Sequence, residues 1–208
     1  MFFSTPKPEP RRETMFMSGA ARFATFLILF LSLTKPALAT LPEGEPAPEF
    51  AAPGALDGKV VRYALKDALK EGAVVVYFYP SAFTNGCNVQ AHEFAVRQAE
   101  FKAAGASVVG VSLDNVERLQ AFSADPDFCA GKLTVVSDAD GSIARSYGIS
   151  VREALPGRKD TRGAPIDHGF AERTTFVIGR NGRIAAIIGG IGPAANVEQT
   201  LKAVRELP

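Results

Sequence analysis

The 208-residue chain has no tryptophan, two histidines and two cysteines, and its three methionines all lie between Met1 and Met17. Each shortage removes a class of function. Cys87 and Cys129 are far apart in the chain, so they form neither a C-x-x-C redox pair nor a zinc ribbon. Beyond Met17 no methionine-rich stretch or cysteine pair offers the soft ligands a copper-carrying module needs. The formal net charge is +1 with both signs dispersed, which leaves no basic patch for nucleic acid and no acidic tail. The apolar run from Phe23 to Leu33 is short of the ~20 residues of a membrane span.

That run is nevertheless informative. Arg22 precedes it and Pro36-Ala37-Leu38-Ala39 follows, the pattern of a secretory signal with an A-x-A cleavage site. Residues 1–39 are therefore read as a leader and residues 40–208 as one mature domain. The expected location is outside the cytoplasm, periplasmic or secreted, without stable membrane association after cleavage. The alternative is an uncleaved N-terminal anchor. In an exported chain, two cysteines ordinarily form a structural disulfide.

The domain alternates short apolar runs with helical patterns. Residues 40–53 read as an extended lead-in, and Leu56 to Tyr63 as a hairpin around Asp57-Gly58. A-V-V-V-Y-F-Y, from Ala73 to Tyr79, suits a strand buried on both faces. A helix is expected over Asn88–Ala104, with Val89, Phe94, Val96 and Phe101 as its apolar anchors. There follow a strand (Ser107–Ser112), a helix (Asn115–Ala124), a strand (Lys132–Ser137) and a short helix (Ser142–Tyr147). Residues 150–170 read as a long surface loop. Asn181-Gly182 marks a hairpin between Thr174–Ile178 and Arg183–Ile188, and Ala194–Leu207 reads as the last helix. The alternation implies an α/β fold, a central mixed sheet flanked by helices on both faces.

Within this order, Cys87 falls just after a buried strand, in the polar loop S-A-F-T-N-G-C-N and at the first turn of the next helix. Loops beyond strand C-termini are where open α/β sheets bind ligands. A helix N-terminus offers unpaired N–H groups and partial positive charge, which favour a thiolate, the nucleophilic form. Thr84 is close enough to bring a hydroxyl to the sulfur or to a bound oxygen. An inert core cysteine would instead fall inside an apolar run.

Pro80, Thr84 and Cys87 form P-x-x-x-T-x-x-C, which resembles the peroxiredoxin motif. Glu172-Arg173-Thr174-Thr175-Phe176-Val177-Ile178 resembles that family's arginine-bearing strand entry, and Ser137–Ile149 is similar as well. The resemblance runs from about Pro46 to the C-terminus and is greatest to the Q-type, or bacterioferritin-comigratory-protein, branch. It implies a thioredoxin-like fold and a peroxidase with no cofactor and no metal. It further implies that Cys87 attacks peroxide, Thr84 orients it, Pro80 shields the pocket and Arg173 stabilises the thiolate and the leaving oxygen. The implied partners are a peroxide and a thiol reductant such as a thioredoxin-like protein, in a monomer or homodimer.

One departure stands out. Many Q-type members carry a resolving cysteine five residues after the nucleophile, where this chain has His92. Cys129 is then the candidate resolving cysteine; a one-cysteine mechanism and an intermolecular disulfide are the alternatives. The competing functions are an exported thiol–disulfide oxidoreductase, disfavoured by Gln90 where C-x-x-C needs cysteine, and a non-enzymatic binding module.

Overall fold

The computed structural model describes residues 1–3 and 41–208. The chain divides into two units, Met1–Lys35 and Pro36–Pro208. Of the first, only Met1–Phe3 are described, without regular structure, so the expected leader and its cleavage site lie outside the described residues.

The second unit opens with a hairpin of β1 (Ala51–Leu56) and β2 (Lys59–Ala64). Asp57 and Gly58 both take positive φ (50° and 73°), as a two-residue primed turn requires. The hairpin starts earlier than expected and takes in part of the presumed lead-in. A short helix not expected from the sequence, α1 (Leu65–Glu71), follows, with Leu65 its one buried residue.

β3 (Ala73–Phe78) is buried at every position, as its unbroken apolar run implies. The helix expected over 88–104 is two helices, α2 (Asn85–Val96) and α3 (Gln98–Ala103), joined at Arg97. Two of its four expected anchors face solvent. Phe94 and Phe101 are buried, whereas Val89 and Val96 are 44 % and 54 % exposed. The buried stripe of α2 is Cys87, Gln90, Ala91, Phe94 and Ala95, an i, i+3, i+4, i+7, i+8 pattern that begins on the cysteine. A polar Gln90 inside that stripe hid the true face.

β4 (Ala106–Ser112), α4 (Val116–Ala124), β5 (Thr134–Ser137) and α5 (Ser142–Ser146) follow in the expected order. Asn115 caps α4 by accepting from the Arg118 amide at 2.8 Å. The 150–170 segment is less free than its composition implied. It begins with β6 (Val151–Arg152) and ends at β7 (Phe170–Ala171), which pair with each other, and a bridge joins Lys159 to Pro165. β8 (Thr174–Ile178), β9 (Ile184–Gly189) and α6 (Pro193–Arg205) complete the unit.

Seven strands form one mixed sheet in the order β2-β1-β5-β4-β3-β8-β9. β3 runs parallel to β4 and antiparallel to β8. Alternate β3 residues serve opposite layers. Val75 and Tyr77 pack with α2, α3, α4 and α6, while Val74, Val76 and Phe78 pack with α1 and α5. Gly110 on β4 admits the Tyr77 ring: a Cβ there would lie 2.5 Å from Tyr77 Cζ. The sheet thereby carries Cys87's helix on one face, close to the strand that brings Arg173.

Candidate active site

β3 ends at Phe78, and the Tyr79 amide still donates to Val111 O at 3.1 Å. Half-buried Pro80, which has no N–H, then stops the pairing. Ser81, Ala82 and Phe83 are buried and turn the chain into α2. Phe83 has φ of 60°, the left-handed region that non-glycine residues avoid. Surrounding contacts hold it there. Its ring meets Phe122 edge-on at 5.0 Å and Phe128 at 5.9 Å, and the Arg162 guanidinium stacks over it. Its carbonyl accepts from the amide (2.9 Å) and hydroxyl (2.8 Å) of Thr161.

Thr84 is the residue before α2 begins, and its hydroxyl donates to Ser81 O at 2.8 Å. With its proton so engaged, the oxygen faces any substrate as a hydrogen-bond acceptor. Cys87 is in the first turn and 2 % exposed. The amides of Cys87 and Asn88 both return to Thr84 O, at 2.9 and 2.8 Å, so part of the donor-rich cradle expected from the sequence is already engaged within the loop.

The charge comes from the far side. Arg173, just before β8, places Nη2 3.4 Å from Cys87 Sγ, donating toward the sulfur. Its Nη1 donates to Gln90 Oε1, one turn along the same buried stripe. Gln90 Nε2 donates to Asn196 Oδ1 at 2.9 Å, Thr175 Oγ1 donates to the same oxygen at 2.7 Å, and Asn196 Nδ2 donates to Ile188 O at 3.0 Å. Gln90, Thr175 and Asn196 are fully buried. This relay ties α2, α6, β8 and β9 together and fixes the guanidinium against the sulfur. Gly86 leaves it room, since a Cβ there would lie 3.1 Å from Arg173 Nη2.

Sequence reasoning missed this relay and a second polar cluster behind the loop. Asp114, at the end of β4, is buried. Its carboxylate accepts from Ser81 Oγ (2.8 Å), Ala82 N (2.7 Å), Ser112 Oγ (2.7 Å) and His168 Nε2 (2.8 Å). Arg118 Nε makes an ion pair with it at 2.9 Å. The legible signal was an aspartate just past a buried strand. The chain distance to Asn196 and His168 left none.

Cys129 is fully buried in the turn after α4 and, like Cys87, is a free thiol. Burial pushes its pKa far above the ordinary thiol range, and Asp125 adds to the effect. Ala130 and Gly131 then take positive φ, 51° and 67°. Exposed His92 donates from Nδ1 to Asp127 O at 2.9 Å, linking α2 to this turn. Cys87 and Cys129 belong to one hydrophobic cluster that includes Tyr77. Burial raises the Tyr77 hydroxyl, and both sulfurs act on it electrostatically. No group of metal-ligating side chains occurs among the described residues.

The AhpC/TSA family profile matches residues 44–187. A chloroplastic 2-Cys peroxiredoxin of Hordeum vulgare is 29 % identical over 169 residues, covering 79 % of this chain and 74 % of its own. The chloroplastic peroxiredoxin Q of Suaeda salsa is 29 % identical over 218 residues, covering 98 % of this chain and 92 % of its own. Among solved structures, peroxidoxin BcpB of Mycobacterium tuberculosis aligns with a TM-score of 0.66 at 27 % identity, covering 81 % of this chain and 99 % of that one. Peroxiredoxin Q of Xanthomonas campestris aligns with a TM-score of 0.58 at 28 % identity, covering 74 % and 89 %. The chain belongs to the AhpC/TSA family and is a thiol-dependent peroxidase with a thioredoxin-like fold, of the Q-type peroxiredoxin kind.

Proposed function

We propose that Cys87 is the peroxidatic nucleophile and that Cys129 resolves the oxidised enzyme through an intramolecular disulfide. The observation that carries the first part is Arg173 Nη2 at 3.4 Å from Cys87 Sγ, contributed from a distant strand and held by Gln90. A guanidinium so placed balances charge on the sulfur and then on the oxygen that leaves.

In the first step the Cys87 thiolate attacks the terminal peroxide oxygen. The S–O bond forms as the O–O bond breaks; sulfur is oxidised by two electrons to a sulfenic acid, and the departing oxygen takes a proton as water or alcohol. Thr84 accepts the peroxide's hydrogen bond, and Pro80 limits water entry. In the second step the Cys129 sulfur attacks the sulfenic sulfur, the S–S bond forms and water leaves. An external thiol reductant then restores both thiols.

Both cysteines are buried in one hydrophobic cluster, and the second step bridges them with Cα atoms within ~7 Å in suitable geometry. Phe83, in the loop before α2, and Ala130, beside Cys129, both hold the left-handed conformation that non-glycine residues avoid. Hydrogen peroxide and organic hydroperoxides both present the reactive O–O group. The Xanthomonas campestris bacterioferritin comigratory protein, described for alkyl peroxide reduction, supports including the latter. The leader pattern supports an exported enzyme.

The test is peroxide consumption by wild type, Cys87→Ser and Cys129→Ser, with dithiothreitol and with a thioredoxin as reductants. Cys87→Ser should be inactive with both. Cys129→Ser should work with dithiothreitol and fail with thioredoxin. Wild-type activity of Cys129→Ser with every reductant overturns the resolving role.

A further inference from the structure

The Pro80–Thr84 loop is held from behind by side chains that take no part in the peroxide chemistry. Asp114 binds Ser81 Oγ and the Ala82 amide. Arg118 Nη2 donates to Ala82 O at 3.0 Å and to Asp160 Oδ2 at 2.7 Å. Asp160 also accepts from Arg162, whose guanidinium covers the Phe83 ring. Thus the 150–170 segment, which composition marks as a loose loop, grips the catalytic loop at Ser81, Ala82 and Phe83.

His168 occupies a particular place in this grip. Its Nε2 lies 2.8 Å from Asp114 Oδ1, and its Nδ1 lies 2.7 Å from Gly169 O. A carboxylate and a carbonyl can only accept, so the ring must donate at both nitrogens. Only the imidazolium does so. Ser81 Oγ is 3.4 Å from the same Nε2 and donates to the same Asp114 oxygen, so this is not a hydrolase-type relay. The charged groups around the ring are Asp114 just past β4, Arg118 from α4, Asp167 beside it, and Asp160 and Arg162 beyond Arg118. The ring borders a surface cavity of about 380 Å³ with Leu113, Asn115, Arg118, Ala139, Pro165 and Asp167, which gives solvent protons a route to it.

We propose that His168 is a positioning residue for the peroxidase reaction, its imidazolium form fixing Asp114 and, through it, the Ser81–Ala82 turn that sets Thr84 and Cys87. The proposal rests on Cys87 being the nucleophile. Electrostatics agree with the geometry. Burial acts to lower the His168 pKa, but the hydrogen bond and charge of Asp114 outweigh it, so the ring titrates above its ordinary value. For Asp114 burial acts upward, but His168, the Ala82 amide and Ser112 hold it below its ordinary value. A raised histidine pKa means the grip is complete below the ordinary histidine range, about 6.5; as pH climbs through the folded-state value the ring loses its charge and one of its two donors. Deprotonating a thiol nucleophile raises the rate with pH; a descending limb therefore reports another group.

The measurement is the second-order rate of peroxide with the reduced enzyme from pH 6 to 9, together with a proton NMR titration of the two imidazoles. His92→Asn assigns the spectrum, because the chain has only two histidines. Wild type should show a descending limb whose midpoint matches the His168 titration, and His92→Asn should keep it. His168→Gln keeps one donor to Asp114 but, like the neutral ring, carries no charge and loses the bond to Gly169 O; it should abolish the limb and lower the rate at pH 6 by roughly ten- to a hundred-fold. No limb in wild type, an unchanged limb in His168→Gln, or a limb displaced from the His168 midpoint overturns the proposal. If Cys87→Ser keeps full activity, the nucleophile assignment falls and this proposal with it. If Cys87→Ser is inactive and the limb is absent, only this proposal falls.

Discussion

Cys87 and Cys129 share one hydrophobic cluster and are nearly or fully buried, at 2 % and 0 % exposure, yet their surroundings differ in kind. Cys87 begins a helix, with a guanidinium on its sulfur and a satisfied polar relay behind that guanidinium. Cys129 follows a helix, in a turn with positive φ at the next two residues, and burial together with Asp125 keeps it a thiol. On the assignment proposed above, burial alone does not decide whether a cysteine is reactive; what decides is whether a positive group has been fixed against the sulfur before the reaction, so that no reorganisation is needed as charge develops.

The comparison breaks most completely at the nucleophile. Cys87→Ser should reduce peroxide turnover to background in a coupled assay while leaving the fold intact by circular dichroism. Next comes the charge. Arg173→Ala should lower the second-order rate with peroxide by roughly 10²- to 10³-fold, the usual effect of losing one preorganised electrostatic donor. Arg173→Lys should recover little, because one ammonium cannot reproduce a fork that reaches both Cys87 Sγ and Gln90 Oε1. Stopped-flow measurement of the reduced enzyme would separate this loss from any defect in reductant turnover.

The relay is a smaller and different target. Asn196→Leu removes the acceptor for Gln90 Nε2 and Thr175 Oγ1 inside the core and should cost about 1–3 kcal/mol of stability in urea unfolding. Its peroxidase rate should fall as Arg173 loosens. Stability loss with an unchanged rate would show that the relay serves the fold and not the guanidinium. Smallest of all is the expected effect of Cys129→Ser on the first step. The rate of peroxide reaction should stay within about twofold, since a buried thiol contributes no charge at Cys87.

Much of this arrangement was legible in the sequence. β3 announced itself because a strand covered on both faces is apolar at every position. Pro80, Thr84, Cys87 and Arg173 formed a spaced motif, and the structure brings the last two together. The α2 face was misread because Gln90 is buried for the sake of Arg173, a partner far along the chain. Val89 and Val96 looked like anchors only because their exposure depends on which side α2 turns to the sheet. Asp114 and His168 escaped notice for a similar reason: each is an ordinary polar residue until the 150–170 segment folds back on the catalytic loop.

The contrast between the two thiols can be measured directly by intact-protein mass after one equivalent of hydrogen peroxide, with peptide mapping under non-reducing conditions. The account predicts that wild type loses two protons and yields a Cys87–Cys129 peptide, while Cys129→Ser gains one oxygen on Cys87. An oxygen found first on Cys129, or a Cys87→Ser protein that consumes peroxide at the wild-type rate, would contradict it.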